Sequence, residues 1–178
     1  DFGETLFRLA GEERERVAVS FAWDNPVLWF PDDPRLLKLH LKVMRDGRLA
    51  DEPPPVRFGF REVWADGGDL VMNGVPFRVR GAAHGWVSMG AGAGALIDFY
   101  QARGMNSAIG WFIGYTGQPT LGEALRIGDE KGFLSTFTLY LPGGSGEERL
   151  KAVRGALKDL RNHPCVYGYA VGNVTFPL

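Results

Sequence analysis

At about Asp66 the chain changes rhythm, and that change limits the folds open to it more than any other feature. From Arg16 to Val63 the pattern has a period of two. "RVAVSFA" alternates apolar and polar residues, "LLKLHLKVM" (Leu36 to Met44) alternates through Leu37, Leu39, Leu41 and Val43, and "VRFGFREV" alternates again. Between these runs stand "DNP", "PDDP", "DGR" and "EPPP", all turn chemistry. Short alternating strands punctuated in this way predict an antiparallel sandwich. Three or four strands are fewer than a sandwich needs, so residues 1–65 read as the C-terminal part of such a domain.

Beyond Asp66 strands and helices alternate. "PFRVRG" (Pro76 to Gly81), "MNSAIGWF", "FLSTFTLYL" and "CVYGYAVGN" have the apolar character of strands in a parallel sheet buried on both faces. Between them, "ALIDFYQARG" predicts a helix ended by Gly104, and "TLGEALRIGDEKG" a helix from an N-cap at Thr120 to Gly132. "GEERLKAVRGALKDLRNHP" predicts a longer amphipathic helix. Repeated strand-helix units build either an open doubly wound sheet or an eightfold barrel. The first strand-helix turn carries no GxGxxG, and "GAGAGAL" lacks the lysine of a phosphate loop, which argues against a nucleotide-binding sheet. That Gly/Ala run is expected to be a flexible loop.

Charge and cysteine content narrow the partners. Twenty Lys and Arg against 21 Asp and Glu give a formal charge of −1, with no long basic run, so nucleic acid is not an expected partner. Cys165 stands alone, which rules out an internal disulfide or a cysteine-built zinc site within this chain. No His/Asp/Glu cluster has metal-ligand spacing, so neither metal nor cofactor is expected. Apolar runs stay below the length of about 18 residues that a membrane helix needs, and no signal peptide is visible.

Several motifs then fall in a telling order. "DNPVLWFPDDPRLLKLHLKV…DGRLAD" is followed by "RFGFREV", "LVMNGVPFRVRG" with a histidine soon after, and, late in the chain, "LRNHPCVYGYAVGN". This succession resembles glycoside hydrolase family 2, which includes β-galactosidases, β-glucuronidases and β-mannosidases. The resemblance covers about Val17 to Asn173 and is thinnest between Gly85 and Ser145. It implies a mixed fold: the C-terminal part of an immunoglobulin-like β-sandwich in residues 1–65, then the first four βα units of a TIM (β/α)8 barrel in residues 66–178. It also implies retaining hydrolysis of O-glycosidic bonds of β-linked sugars, which uses two carboxyl groups about 5–5.5 Å apart as acid/base and nucleophile.

The resemblance assigns site residues too. The family's acid/base is the Glu that follows Gly-Asn on the fourth barrel strand, and the matching residue here is Val174. Asn173 matches the Asn that bonds the sugar 2-hydroxyl, and His84 falls on a histidine-bearing loop at the pocket. The nucleophile belongs to a seventh strand, beyond Leu178. Valine can neither donate nor accept a proton, and a missing general acid costs about 10²–10⁴ in rate. The chain alone is therefore expected to be inactive, with the rest of a barrel or an oligomeric partner needed, and an incomplete chain is the expected explanation. A noncatalytic carbohydrate-binding or scaffold relative is the alternative. Ile109 and Phe112 replace an Arg and a His that the family often carries, which argues against galactosidase specificity.

Other candidates have competing readings. Trp111 can stack on a pyranose face or belong to the core; Trp86 and Tyr140 make the same claim less strongly. His84 can equally be a solvated or capping residue. Trp23 and Trp29 are expected to be packing in the strand-rich half. Asp129 and Glu130, at the end of the second helix, are expected to form a surface pair; His163 is expected to be structural and Asn106 to cap a turn or strand.

Overall fold

The computed structural model describes residues 3–8, 16–82, 92–110, 119–139 and 145–171. The strand-rich half contains β1 (Leu37–Leu39), β2 (Val43–Arg45), β3 (Arg48–Asp51) and β4 (Val56–Phe58). β1 pairs antiparallel with β4, and β2 with β3. Next come β5 (Val63–Asp66), β6 (Asp69–Met72) and β7 (Val75–Phe77), an antiparallel meander. The β2-β3 and β6-β7 hairpins turn on Asp46-Gly47 and Asn73-Gly74, whose four residues all have φ between 50° and 81°. Such paired positive φ values suit the tight two-residue turn that matches strand twist.

The second half forms one parallel sheet. β8 (Gly81–Ala82), β9 (Ser107–Gly110), β10 (Leu134–Leu139) and β11 (Val166–Val171) lie in the order β8-β9-β10-β11. Three helices connect them: α1 (Ala93–Gln101), α2 (Pro119–Lys131) and α3 (Gly146–Leu160). Because every pairing is parallel, the C-terminal ends of all four strands lie along one edge of the sheet. The shared core joins the halves: Trp29 and Met72 are buried with Ile97, Leu125, Phe133, Phe137 and Val166.

Several expectations change. "RVAVSFA" forms no strand; Val17, Val19 and Phe21 are exposed, since alternation supplies two faces but no pairing partner. Leu36 to Met44 is interrupted at residues 40–42, so its two ends join different partners. "PFRVRG" likewise splits between β7 in the meander and β8 in the parallel sheet. Asn106 secures the bridge between them: its Nδ2 donates to Arg78 O at 2.8 Å and its Oδ1 accepts from Arg80 N at 2.7 Å. The described part of the Gly/Ala run, from Gly92, supplies the start of α1, where the fully buried Ala93 sits in the core and a Cβ on Gly94 would lie 3.7 Å from Ile127 Cγ2 of α2. α2 begins at Pro119, one residue before the expected cap at Thr120, in keeping with proline's fitness for a first helical turn.

Candidate functional site

Two regions qualify, on opposite edges of the parallel sheet. The first is the C-terminal edge, where β8, β9, β10 and β11 end at Ala82, Gly110, Leu139 and Val171. His84, Trp111, Asn173 and Val174 follow three of these ends in sequence, and all four lie outside the described residues. So do Trp86, Phe112 and Tyr140, while of Ile109 only the backbone, in β9, is described.

The second region surrounds the N-terminal end of β11, where the two halves meet. Asp129, one residue short of Glu130 near the end of α2, is 1% exposed. This corrects the expectation of a surface pair: Glu130 is exposed, but Asp129 lies on the same helical stripe as Leu121 and Leu125 and points inward. A carboxylate so deeply buried requires partners. Its Oδ2 accepts from Arg57 Nη2 at 3.2 Å and lies 2.7 Å from His163 Nδ1; its Oδ1 accepts from the Cys165 amide at 3.1 Å. Arg57 also donates to Glu130 Oε1 at 2.6 Å, and Arg126 reaches the same oxygen at 3.0 Å. Over this network opens a cleft of about 640 Å³ lined by Lys38, Arg57, Arg126, Glu130, Asp159 and His163, among others.

The rest of the junction is close-packed backbone. Gly59 lies so near Pro164 that a Cβ there would fall 2.9 Å from Pro164 Cγ and 3.0 Å from Trp29 Cβ. Arg61, half-buried, donates from Nε to Pro164 O at 2.6 Å and from Nη2 to Val166 O. Burial draws its guanidinium below its usual value, opposed by the nearby Asp129 carboxylate. Asn73 donates to Trp29 O at 3.0 Å and accepts from Glu62 N at 2.8 Å. Burial, and after it the negative charge of Asp129, pushes the Cys165 thiol well above its usual value, so it remains a neutral core group.

The motifs "LW", "GFRE", "NG" and "NHP" thus converge on the junction rather than on the C-terminal edge. His163 is structural, as expected, and Trp29 packs as expected while also hydrogen-bonding across to α2. In parallel strand-helix folds, chemistry gathers at C-terminal strand ends and the opposite face serves stability. Among the described residues, Arg57, Arg126, Asp129 and Glu130 are all paired with opposite charges from within the protein. The network is built to fasten two halves together. Among the described residues no group of three His, Cys, Asp or Glu side chains could hold a metal ion.

Parts of this sequence and fold recur in known proteins. Residues 4–61 match the model of glycosyl hydrolases family 2. The beta-galactosidase of Thermoanaerobacter pseudethanolicus is 27% identical over 177 residues, spanning 90% of this chain and 23% of that protein. Among solved structures, a glycosyl hydrolase family 2 member from Bacteroides cellulosilyticus superposes with a TM-score of 0.57 at 22% identity, over 83% of this chain and 21% of its own. Lactobacillus rhamnosus beta-glucuronidase gives a TM-score of 0.60 at 21% identity, over 82% of this chain and 27% of its own. The last two are likenesses of fold, and the chain spans less than a third of each of these three proteins. The family model over residues 4–61 and the sequence relative make this chain similar to glycoside hydrolase family 2, and the two solved structures share its fold.

Proposed function

We propose that the chain carries the sandwich-barrel junction and the first part of the sugar pocket of a retaining β-glycosidase. Residues 1–65 would belong to the immunoglobulin-like domain and residues 66–178 to the first four βα units of a TIM barrel. One observation carries this reading: the four parallel strands are neighbours in sequence order, β8-β9-β10-β11. An open doubly wound sheet reverses its order at a switch point, whereas a barrel adds each strand beside the last. The shared C-terminal edge is then the mouth of the barrel.

At that edge the chemistry needs a proton donor for the departing oxygen and a carboxylate nucleophile on the opposite side of the sugar. In this reading Asn173 bonds the 2-hydroxyl, His84 lines the pocket and Trp111 offers a face to the pyranose ring. Val174 holds the acid/base position without an ionisable group, and the nucleophile would come from a later strand. Carbohydrate is the ligand; neither a metal nor an organic cofactor enters the proposed steps.

Val174 also favours a second reading, a noncatalytic sugar-binding or scaffold relative. Activated aryl β-glycosides separate the two when offered to the protein purified from its source. A good leaving group departs with little protonation, so the glycosidase reading expects aryl release that azide accelerates. Val174→Glu should then raise turnover of poor leaving groups. No release from galactoside, glucuronide or mannoside would overturn the enzyme reading and leave the binding one.

A further inference from the structure

Asn73 is the only asparagine of this chain that precedes a glycine. Asparagine is thermolabile, and the pair carries its own chemistry. With no Cβ on Gly74 to stand in the way, the glycine nitrogen can approach and attack the Asn73 carboxamide carbon. A bond forms from Cγ to the Gly74 nitrogen, the Cγ–Nδ2 bond breaks, and ammonia leaves with the proton that the glycine amide gives up. Solvent water then opens the cyclic imide at either carbonyl, which yields aspartate or isoaspartate. Asn25 precedes a proline, whose nitrogen has no proton to lose, while Asn106 and Asn162 precede Ser and His, which carry a Cβ.

The turn itself is open to this reaction, since Gly74 is exposed and a Cβ there would meet nothing within 4 Å. The Asn73 side chain is not. Its Nδ2 donates to the main-chain carbonyl of Trp29 at 3.0 Å, and its Oδ1 accepts from the Glu62 amide at 2.8 Å. The Asn73 amide donates in turn to Glu62 O at 3.0 Å. Such bonds lie near the plane of the carboxamide. For Gly74 to add to Cγ, that plane must turn its face to the nitrogen and the carbon become tetrahedral, so both anchors must be released. An N–H on Oδ1 alone would polarise the carbonyl toward attack; the bond from Nδ2 to Trp29 fixes the plane against it. Trp29 is fully buried and its indole holds Asp129 O at 2.9 Å, so this line of bonds runs from the hairpin through the junction to α2.

We propose that Asn73 is a modification site gated by the junction: it deamidates only when the β6-β7 hairpin parts from Trp29, and the junction then cannot fully reclose. The product makes the step one-way. A carboxylate at this position has no N–H for Trp29 O, so two oxygens would face each other where the 3.0 Å bond stood. Isoaspartate adds a main-chain atom to a two-residue turn between Met72 and Val75. None of this rests on the sugar-pocket reading, and the two fail separately.

Peptide mass mapping tests it on the protein purified from its source, incubated in mildly alkaline buffer both folded and in urea. The unfolded chain gives the ungated rate, and position 73 should be the first of its asparagines here to react. In the folded protein that rate should fall by the factor by which the Asn73 and Glu62 amides are protected from hydrogen exchange, about tenfold or more, because both report one opening. The deamidated fraction should show faster exchange at Glu62 and unfold at lower urea than the unmodified fraction. A folded rate that departs from the amide protection in either direction overturns the gate. A deamidated fraction with unchanged exchange and an unchanged urea midpoint overturns the one-way step, and an unfolded chain in which another of these asparagines reacts first overturns the assignment of the site.

Discussion

The indole N–H of Trp29 donates to the main-chain carbonyl of Asp129 at 2.9 Å, across 100 positions of sequence. Asp129 lies in the last turn of α2, where carbonyls have no partner further along the helix. The tryptophan therefore caps a helix of the parallel sheet from the strand-rich half. Replacing Trp29 by Phe keeps most of the apolar area but strands that buried carbonyl, which should cost about 1–3 kcal/mol. Urea unfolding should show a lower midpoint with an unchanged slope.

Asp129 itself should be the costlier site. Asp129→Asn preserves shape but removes the charge that faces Arg57 and His163, and loss of one member of a buried pair costs about 3–5 kcal/mol. Glu130→Gln, in the exposed part of the same network, should stay within about 1 kcal/mol of the parent. Denaturant titration of the two variants side by side checks the contrast.

Gly132 and Gly104 both end helices, with φ of 66° and 74°. Their surroundings differ: a Cβ on Gly132 would lie 1.8 Å from the Pro31 carbonyl oxygen, while one on Gly104 meets nothing within 4 Å. Gly104→Ala should cost only the left-handed backbone penalty of about 1–2 kcal/mol. Gly132→Ala must additionally push α2 away from the "FPDDP" turn, and its thermal midpoint should fall well below that of Gly104→Ala.

Helix α3 opens with a capping box in which Ser145 Oγ accepts from Glu148 N and the Glu148 carboxylate accepts from the Ser145 amide and hydroxyl. Those bonds, the amide's first, hold the Glu148 carboxyl below its usual value. A carboxyl depressed on folding adds stability above its unfolded pKa of about 4.3 and loses it as pH falls through the folded value. The stability gap between the parent and Glu148→Gln should accordingly be full near neutrality and close on acidification.

The helices were legible because their signals are local. Gly104 and Gly132 mark the ends of α1 and α2, and a 3.6-residue period runs through all three. Ser145 with Glu148 is equally visible as an S-x-x-E box at the start of α3. Asp129 could have been recognised as buried from its position eight residues after Leu121 and four after Leu125. The strand-rich half was harder, since Arg16 to Ala22 has the alternation of a strand yet pairs with nothing among the described residues. Pairing depends on what lies alongside, and no local pattern states that. The family motifs were visible, but their physical role was not: Gly59, Arg61, Asn73 and Pro164 meet only once the two halves are packed. The candidate pocket residues His84, Trp111, Asn173 and Val174 remain expectations drawn from resemblance.

The proposed sugar-facing edge is distinct from the structural junction, and chemical-shift mapping with methyl β-glycosides tests that distinction most directly. Methyl β-galactoside, β-glucuronide and β-mannoside would be titrated into the isotope-labelled chain. Shifts are expected to begin at the strand ends Ala82, Gly110, Leu139 and Val171 and in the residues that follow them, with Arg57, Asp129 and His163 silent. Shifts centred on the Arg57, Glu130 and His163 cleft, with the strand ends unmoved, would contradict it.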